Sequence, residues 1–501
     1  MGEATAGRRA DLVDRVEEAP PRWPRWLIVA TVAMALALVV SGLIRYRFYL
    51  SGFDQAFFEQ KFWLIARGQW TETVEGYHVL GDHFAPIVVP LGLTSLLPWP
   101  GEALMVLQGV VVAAGLLPAY RLGTAVVGRR HAWLGPLWYG LSVPLWYALF
   151  DFHTVVLGVP VLVWMMWRVE ATRVDGRALV GALVVGELAL VLCREDLAIL
   201  GAAVIGVAFV RYRRPALLAV AAAGGGIGLL YLQFSRVILG DGAASPFAVR
   251  YHSFGDAPGQ LVAGLPSHLG LLVQRLTDPV ALSVYLCLFL PMVGLAFVGW
   301  RLAWPGFVLM LTVLISDDEL TRSVYFQYHA AAVPFLIWGG LTGFRTVVDR
   351  GWVGSERLTR GIVLSSVALF VFVGPVLAVS NPQADRRWPV VATSADRIAL
   401  DDVVAHAPPG VELSASGSLA PHVADRSRLY VFPMPILCEG DTNTLPSFTP
   451  DWVLLERNGV DEHLVDLPAL GYQLQWSNDR GELWRRVAPP RPVVPCNHLP
   501  S

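Results

Sequence analysis

Residues 26–43 read WLIVATVAMALALVVSGL. No charged side chain interrupts this run, and as a helix rising 1.5 Å per residue it crosses most of the roughly 30 Å hydrocarbon core of a bilayer. A cleaved signal peptide is the rival reading, but the polar lead of residues 1–25 is long for one and the apolar run exceeds a usual signal core. The run is therefore predicted to be a first span, preceded by a disordered cytoplasmic tail over 1–25 in which arginines and acids balance. Further apolar stretches follow at 102–127, 132–149, 155–167, 178–192, 197–210, 215–239, 280–300, 305–316, 329–344 and 361–380. Lipid offers no partner for open strand edges, so each is expected to be helical. The expected fold over 26–380 is an all-α polytopic membrane domain of about 11 transmembrane helices.

Composition agrees. Charged residues make up only 16% of the chain, against about 25% in soluble domains, and mean hydropathy is positive, +0.51. A net charge of −2 with no basic stripe leaves no electrostatic footprint for nucleic acid. Basic residues are nearly all arginine, and Lys61 is the only lysine. The arginines also orient the chain. Those at 129–130, 168–177, 211–214 and 345–360 fall on the side of the N-terminal tail, which carries roughly twice the basic residues of the opposite side. The N-terminus is thus expected in the cytoplasm and the C-terminus outside. External loops then cover 44–101, 150–154, 194–196, 240–279 and 317–328. The first contains an amphipathic stretch, Phe53–Ile65, which suits a helix lying along the membrane surface or a buried lid helix.

From 381 to 501 the chain turns polar. Ser394 can cap a helix running through Arg397, Leu400 and Val404. Short strands are predicted at 411–415, 429–432 and 452–456, and a hairpin in which 473–476 and 483–487 flank Asn478-Asp479-Arg480-Gly481. A small extracytoplasmic α/β domain without a catalytic motif is expected. Cys438 and Cys496 lie in it and can pair if it is outside the cell, although spacing alone does not establish a bridge. Cys193 and Cys287 fall in apolar segments.

Ionisable groups beside spans are costly unless paired or solvated, and they gather on the external side. Asp54 follows Phe53, Asp82 and His83 sit in Gly81-Asp82-His83-Phe84-Ala85-Pro86, and Asp151 and His153 sit in Phe150-Asp151-Phe152-His153. Arg194, Glu195 and Asp196 make the tip of a tight hairpin in which one arginine neutralises only one of two acids. Arg250 lies in a later loop, and Arg322, Tyr328 and His329 open the tenth span. For each residue singly, a solvated loop charge is the alternative. Together, carboxylates beside imidazoles suit proton abstraction from a hydroxyl. Arginines suit a phosphate. The set Asp54, His83, Asp151 and His153 also offers oxygen and nitrogen ligands to a divalent cation, though no specific metal site is assigned.

The motifs Phe53-Asp54-Gln55, Gly81-Asp82-His83-Phe84-Ala85-Pro86, Leu107-Gln108, Pro118-Ala119-Tyr120-Arg121, Phe150-Asp151-Phe152-His153, Glu195-Asp196 and Tyr328-His329-Ala330-Ala331-Ala332-Val333-Pro334-Phe335 resemble a family of uncharacterised bacterial multi-pass membrane proteins. That family is itself similar to the GT-C glycosyltransferases. The resemblance implies a GT-C-like fold in the bacterial plasma membrane and inverting transfer of a sugar from a polyprenyl-phosphate donor to a cell-envelope acceptor outside. It requires no cofactor. It implies Asp54 as general base and matches Asp151 to an acidic position that some members carry in their second external loop; Glu195 is a further catalytic candidate, and no established role transfers to the histidines, so the residues that follow are candidates on their own chemistry. Asp82, His83, His153, Arg194, Asp196, Arg250, Arg322, Tyr328 and His329 would bind substrate. The paired acids of GT-C first loops are absent, since Gln55 follows Asp54. The alternative is a transporter or lipid flippase with an outward-facing polar chamber, although no inverted repeats are apparent.

The arginine asymmetry makes a direct prediction. A reporter active only in the cytoplasm should be silent when fused after Ser501 and active when fused after Val210. The reverse pattern would turn every residue of the proposed chamber toward the cytoplasm.

Overall fold

The computed structural model describes residues 23–172, 176–239, 250–255, 258–376, 394–437, 447–457 and 461–490. The N-terminal tail and the Cys438–Cys496 pairing therefore lie outside the described residues. The principal helices are α1 (Arg25–Arg47), α2 (Phe53–Ile65), α3 (Pro100–Ala114), α4 (Leu116–Val127), α5 (Thr154–Ala171), α6 (Gly176–Cys193), α7 (Glu195–Tyr212), α8 (Pro215–Leu239), α9 (Pro279–Phe289), α10 (Trp300–Leu314), α11 (Val333–Asp349), α12 (Ser355–Phe372) and α13 (Ser394–Ala405). The chain is mostly helical, with one small sheet near its C-terminus.

By length and composition, five helices among the described residues qualify as membrane spans: Arg25–Arg47, Pro100–Val127, Thr154–Ala171, Pro215–Leu232 and Glu319–Asp349. A sixth is added if Gly259–Thr277 and Pro279–Met292, which meet at 59°, form one bent span. This corrects the expectation of about 11. Residues 132–149 divide into Leu134–Gly140 and Val143–Tyr147, with Pro144 holding the start of the second piece. Residues 280–316 break after Met292, where Val293 and Gly294 take positive φ. Helix α7 carries Glu195, Asp196 and Arg211, and α12 opens with Glu356, Arg357 and Arg360, charges that an isolated span rarely tolerates. Glycines allow close helix approach where α11 meets the segment before α10. A Cβ on Gly343 would lie 2.0 Å from the Leu295 carbonyl oxygen, and one on Gly299 would lie 1.9 Å from that of Gly339.

The C-terminal sheet has the strand order β2-β1-β3-β5-β4, with β1 Leu413–Ala415, β2 Leu429–Val431, β3 Trp452–Glu456, β4 Tyr472–Ser477 and β5 Gly481–Arg486. β1 runs parallel to both β2 and β3, and β5 is antiparallel to β3 and β4. The hairpin turns at Asn478, whose Oδ1 accepts from the backbone N–H of Arg480 at 2.8 Å and of Gly481 at 3.0 Å, the side-chain turn that favours asparagine there.

Helix α2 is buried over Gln55–Phe62, Leu64 and Ile65, so it is a packed element and not a helix on the membrane surface. Its polar side chains find internal partners. Gln55 Nε2 donates to Glu59 Oε1 at 2.6 Å, and the Tyr46 hydroxyl of α1 donates to Glu59 Oε2 at 3.1 Å. Gln60 exchanges bonds with Thr73, and Thr73 in turn bonds Leu429 of β2. α2 thus joins the helical region to the sheet.

Burial pushes the Glu59 carboxyl up to about 8, against the hydrogen bonds from Gln55 and Tyr46 and with the help of Glu102 and Asp151. The folded value lies above the ordinary 4.5. The folded chain therefore holds this proton more tightly than the unfolded chain, and stability falls as pH rises from the ordinary value to the folded one. Glu59→Gln should remove a loss on the order of a few kcal/mol across that window. Thermal unfolding of both proteins between about pH 5 and 8 checks this; identical pH dependence would mean that Glu59 is already ionised in the folded chain.

Candidate functional site

Asp54 occupies the first turn of α2, where unpaired backbone N–H groups favour a carboxylate. Facing it is the turn between Val143–Tyr147 and α5. Two glutamines fasten that turn. Gln55 Oε1 accepts from Phe152 N at 2.9 Å, and Gln108 Nε2 donates to the Leu149 and Asp151 carbonyls at 3.2 Å each. Asp151 Oδ1 accepts from Gly52 N at 3.2 Å, which ties the same turn to the entry of α2. His153, which precedes α5, is held by Nδ1, 3.1 Å from the carbonyl oxygens of Ala148 and of Asp151. Both neighbours are acceptors, so Nδ1 carries the hydrogen. Nε2 then lies 3.2 Å from Asp54 Oδ2, within ion-pair range though without hydrogen-bond alignment. A neutral ring in this tautomer would turn a lone pair toward a carboxylate. A protonated ring would instead set its charge against that carboxylate.

A second group forms where α6 gives way to α7. The Arg194 guanidinium grips Asp196 with Nε at 2.7 Å and with Nη2, the two-pronged pairing that arginine geometry favours. Glu195 is matched differently. Its Oε1 lies 2.6 Å from His83 Nδ1, and its Oε2 accepts from Phe84 N at 2.8 Å. His83 Nε2 is 3.6 Å from Asp82 Oδ2. Arg194 thus pairs with one of the two acids at this tip, and the 81–86 loop supplies the partners of the other.

This second group forms the polar end of a cavity of about 340 Å³, lined there by Asp82, His83, Arg194, Glu195, Asp196, Arg250 and Tyr328. The rest of its wall is mostly apolar and includes Ile199, Leu200 and Ala203 of α7, Leu232 of α8, and Trp304 and Val308 of α10. Leu232, Trp304 and Val308 are also exposed, so the cavity reaches the surface as a largely apolar groove. Arg250 Nη2 donates to the Tyr328 hydroxyl at 3.3 Å, with its guanidinium 5.1 Å from that ring. Tyr328 and then Asp82 hold Arg250 more firmly charged than usual, against burial and the nearby Arg194. Asp54, Asp151 and His153 lie outside this cavity lining, although Asp54 acts electrostatically on Tyr328. An anionic headgroup at this end would meet the guanidinium of Arg250 and that of Arg194, the latter already paired with Asp196.

Arg322 and His329 lie outside this cavity lining. Arg322 pairs with Asp278, and His329 Nε2 donates to the Arg322 carbonyl at 2.9 Å, so both serve the packing of this end of the bundle. Among the described residues no three His, Cys, Asp or Glu groups converge as a metal-ligand set, so the cation site drawn from Asp54, His83, Asp151 and His153 does not assemble. Sequence reasoning passed over Gln55 and Gln108 as fasteners of the His153 turn, although both stand in the quoted motifs. It also passed over Lys61, which is buried over the Phe57 ring at 3.6 Å. Burial lowers its ammonium pKa, against Asp82, Glu72 and Glu75. Being the only lysine of the chain was its one available signal.

No curated protein matches the sequence. Among solved structures, the chain is similar to ArnT from Cupriavidus metallidurans bound to undecaprenyl phosphate, at 14% identity and a TM-score of 0.46, covering 92% of this chain and 98% of that one. It is similar to the oligosaccharyltransferase AglB from Archaeoglobus fulgidus in complex with an inhibitory peptide and a dolichol-phosphate, at 13% identity and a TM-score of 0.44, over 86% of this chain and 69% of that one. The Archaeoglobus fulgidus oligosaccharyltransferase in complex with Zn and sulfate gives 13% identity, a TM-score of 0.43 and coverage of 85% and 68%. Residues 45–481 match the family described as "Predicted membrane protein (DUF2079)", and the chain belongs to that family.

Proposed function

We propose that the protein is a GT-C-type glycosyltransferase that moves a sugar from a polyprenyl-phosphate donor to an envelope acceptor on the extracytoplasmic face of the membrane. One observation carries this reading: a largely apolar groove that reaches the surface shares its lining with Arg194 and Arg250. The groove suits a polyprenyl tail arriving within the bilayer. The guanidinium groups suit its phosphate. The motif resemblance supports the same class. In this reading residues 381–501 form an extracytoplasmic domain and the N-terminus is cytoplasmic.

The chemistry balances as a single displacement. An acceptor hydroxyl attacks the anomeric carbon, the bond from that carbon to the phosphate oxygen breaks, and the lipid phosphate leaves with the electron pair. Arg194 and Arg250 stabilise the charge on the departing phosphate. Asp54 takes the acceptor proton. Its position fits a general base, since Oδ2 faces His153 Nε2 at 3.2 Å and the other carboxylate oxygen remains to accept. Glu195 and His83 hold the 81–86 loop, and with it Asp82, against α7.

The test is a panel of radiolabelled polyprenyl-phosphate sugars offered to the purified protein, with release of lipid phosphate followed. Asp54→Asn should bind donor normally and lower turnover by about 10²–10⁴-fold, the usual worth of general-base help. Arg250→Ala should weaken donor binding by roughly 10–100-fold, as loss of a charged hydrogen bond implies. Turnover at the parental rate in Asp54→Asn would pass the role of base to Asp151 or Glu195. Donor binding without consumption across the whole panel would favour the flippase or transporter reading.

A further inference from the structure

A second cavity, of about 460 Å³, opens between the helical region and the sheet domain. Glu59 of α2 lies in its wall, five residues beyond Asp54 and so about 140° around the helix from the candidate base. Tyr46, Trp63, Trp99 and Glu102 form the walls on the membrane side, and His422 and Asp425 form the wall on the other. We infer that this cleft binds an uncharged saccharide ring, with the C-terminal domain contributing one wall of the site.

Two features point to a sugar. The first is aromatic surface at a polar cleft. Trp99 is 61% exposed and Trp63 half-buried, and indoles offer a broad rigid face to the C–H face of a pyranose while their surroundings supply hydrogen bonds. The second is that the charges of the cleft largely cancel. Glu102 lies 3.5 Å from Arg47. Arg67, also in the lining, rests 4.0 Å from the Trp63 ring and offsets Asp425. Glu59, pushed up to about 8 by burial, is mostly the neutral acid at pH 7. His422, pushed down to about 4 by burial, is neutral too. A cation would find little net charge to hold it, and so would an anion. A polyol would find groups that both donate and accept. His422 packs with its ring tilted against Tyr49 and Tyr46, at 4.0 and 4.6 Å between ring centroids, which fixes this wall of the cleft.

Binding here does not depend on the transfer reaction, so it is measured without a lipid donor. The full chain, in phospholipid nanodiscs free of glycoside detergents, is titrated with the methyl glycosides of glucose, galactose, mannose and N-acetylglucosamine. At least one should bind saturably, about tenfold or more weakly in Trp99→Ala and in Asp425→Asn, and with unchanged affinity in Arg250→Ala. Both Trp99 and Asp425 are exposed, so either variant should fold. No saturable binding, or equal binding in wild type and both cleft variants, would overturn the inference. Binding of ethanolamine or inorganic phosphate in preference to every glycoside would overturn it as well. Loss of glycoside binding in Arg250→Ala would move the sugar to the lipid groove and leave this cleft without a ligand.

Discussion

A helix with five polar side chains among thirteen residues can be buried only if each buried polar group meets a partner, because an unsatisfied one costs about 1–3 kcal/mol. Helix α2 meets that condition through partners from four other segments. Gln55 reaches the 148–153 turn, Glu59 reaches α1, Gln60 reaches Thr73 and the Arg426 carbonyl, and Lys61 rests on the helix's own aromatic rings. Each partnership draws a distant part of the chain against the same short helix. The wall of the saccharide cleft, the His153 turn and the seat of the C-terminal domain are all consequences of satisfying its side chains. Asp54, at the exposed end, is the member whose carboxylate faces outward to the candidate site.

The two polar groups of the candidate site differ in kind. At the α6–α7 junction every strong charge is opposed at short range, as with Arg194 and Asp196 or Glu195 and His83. Such pairings fix a loop and leave little freedom for proton traffic. Asp54 and His153 face each other at 3.2 Å without a hydrogen bond between them, and Asp54 keeps a third of its side chain accessible. The first arrangement suits a binding wall and the second suits chemistry.

Much of this was legible from residue types alone. The first span, the C-terminal α/β character and the Asn478-Asp479-Arg480-Gly481 hairpin follow from local chemistry, and the structure has them at or near the expected positions. The number of spans was not legible. Hydropathy registers apolar content but not the breaks at Pro144, Val293 and Gly294, and it counts charged ends such as those of α7 and α12 within a window. The grouping of Glu195 with His83 was equally hidden, since the residues lie 112 positions apart and nothing in either local sequence names the other. The direction faced by α2 was left open by its own pattern. Aromatic residues crowd one side, but the partners of Gln55, Glu59 and Gln60 come from elsewhere in the chain.

Thr73 closes the fold in one further way. Its Oγ1 donates to the Leu429 carbonyl at 2.7 Å and accepts from the Leu429 N–H at 2.9 Å, so one hydroxyl occupies the outward-facing backbone groups of the edge strand β2 as a neighbouring strand would. Sheet edges left open are templates for pairing with another copy. The sheet domain cut away from the helical region would expose that edge, and its solubility would then depend on concentration, through edge-to-edge self-association that Thr73 hinders at Leu429 in the intact chain.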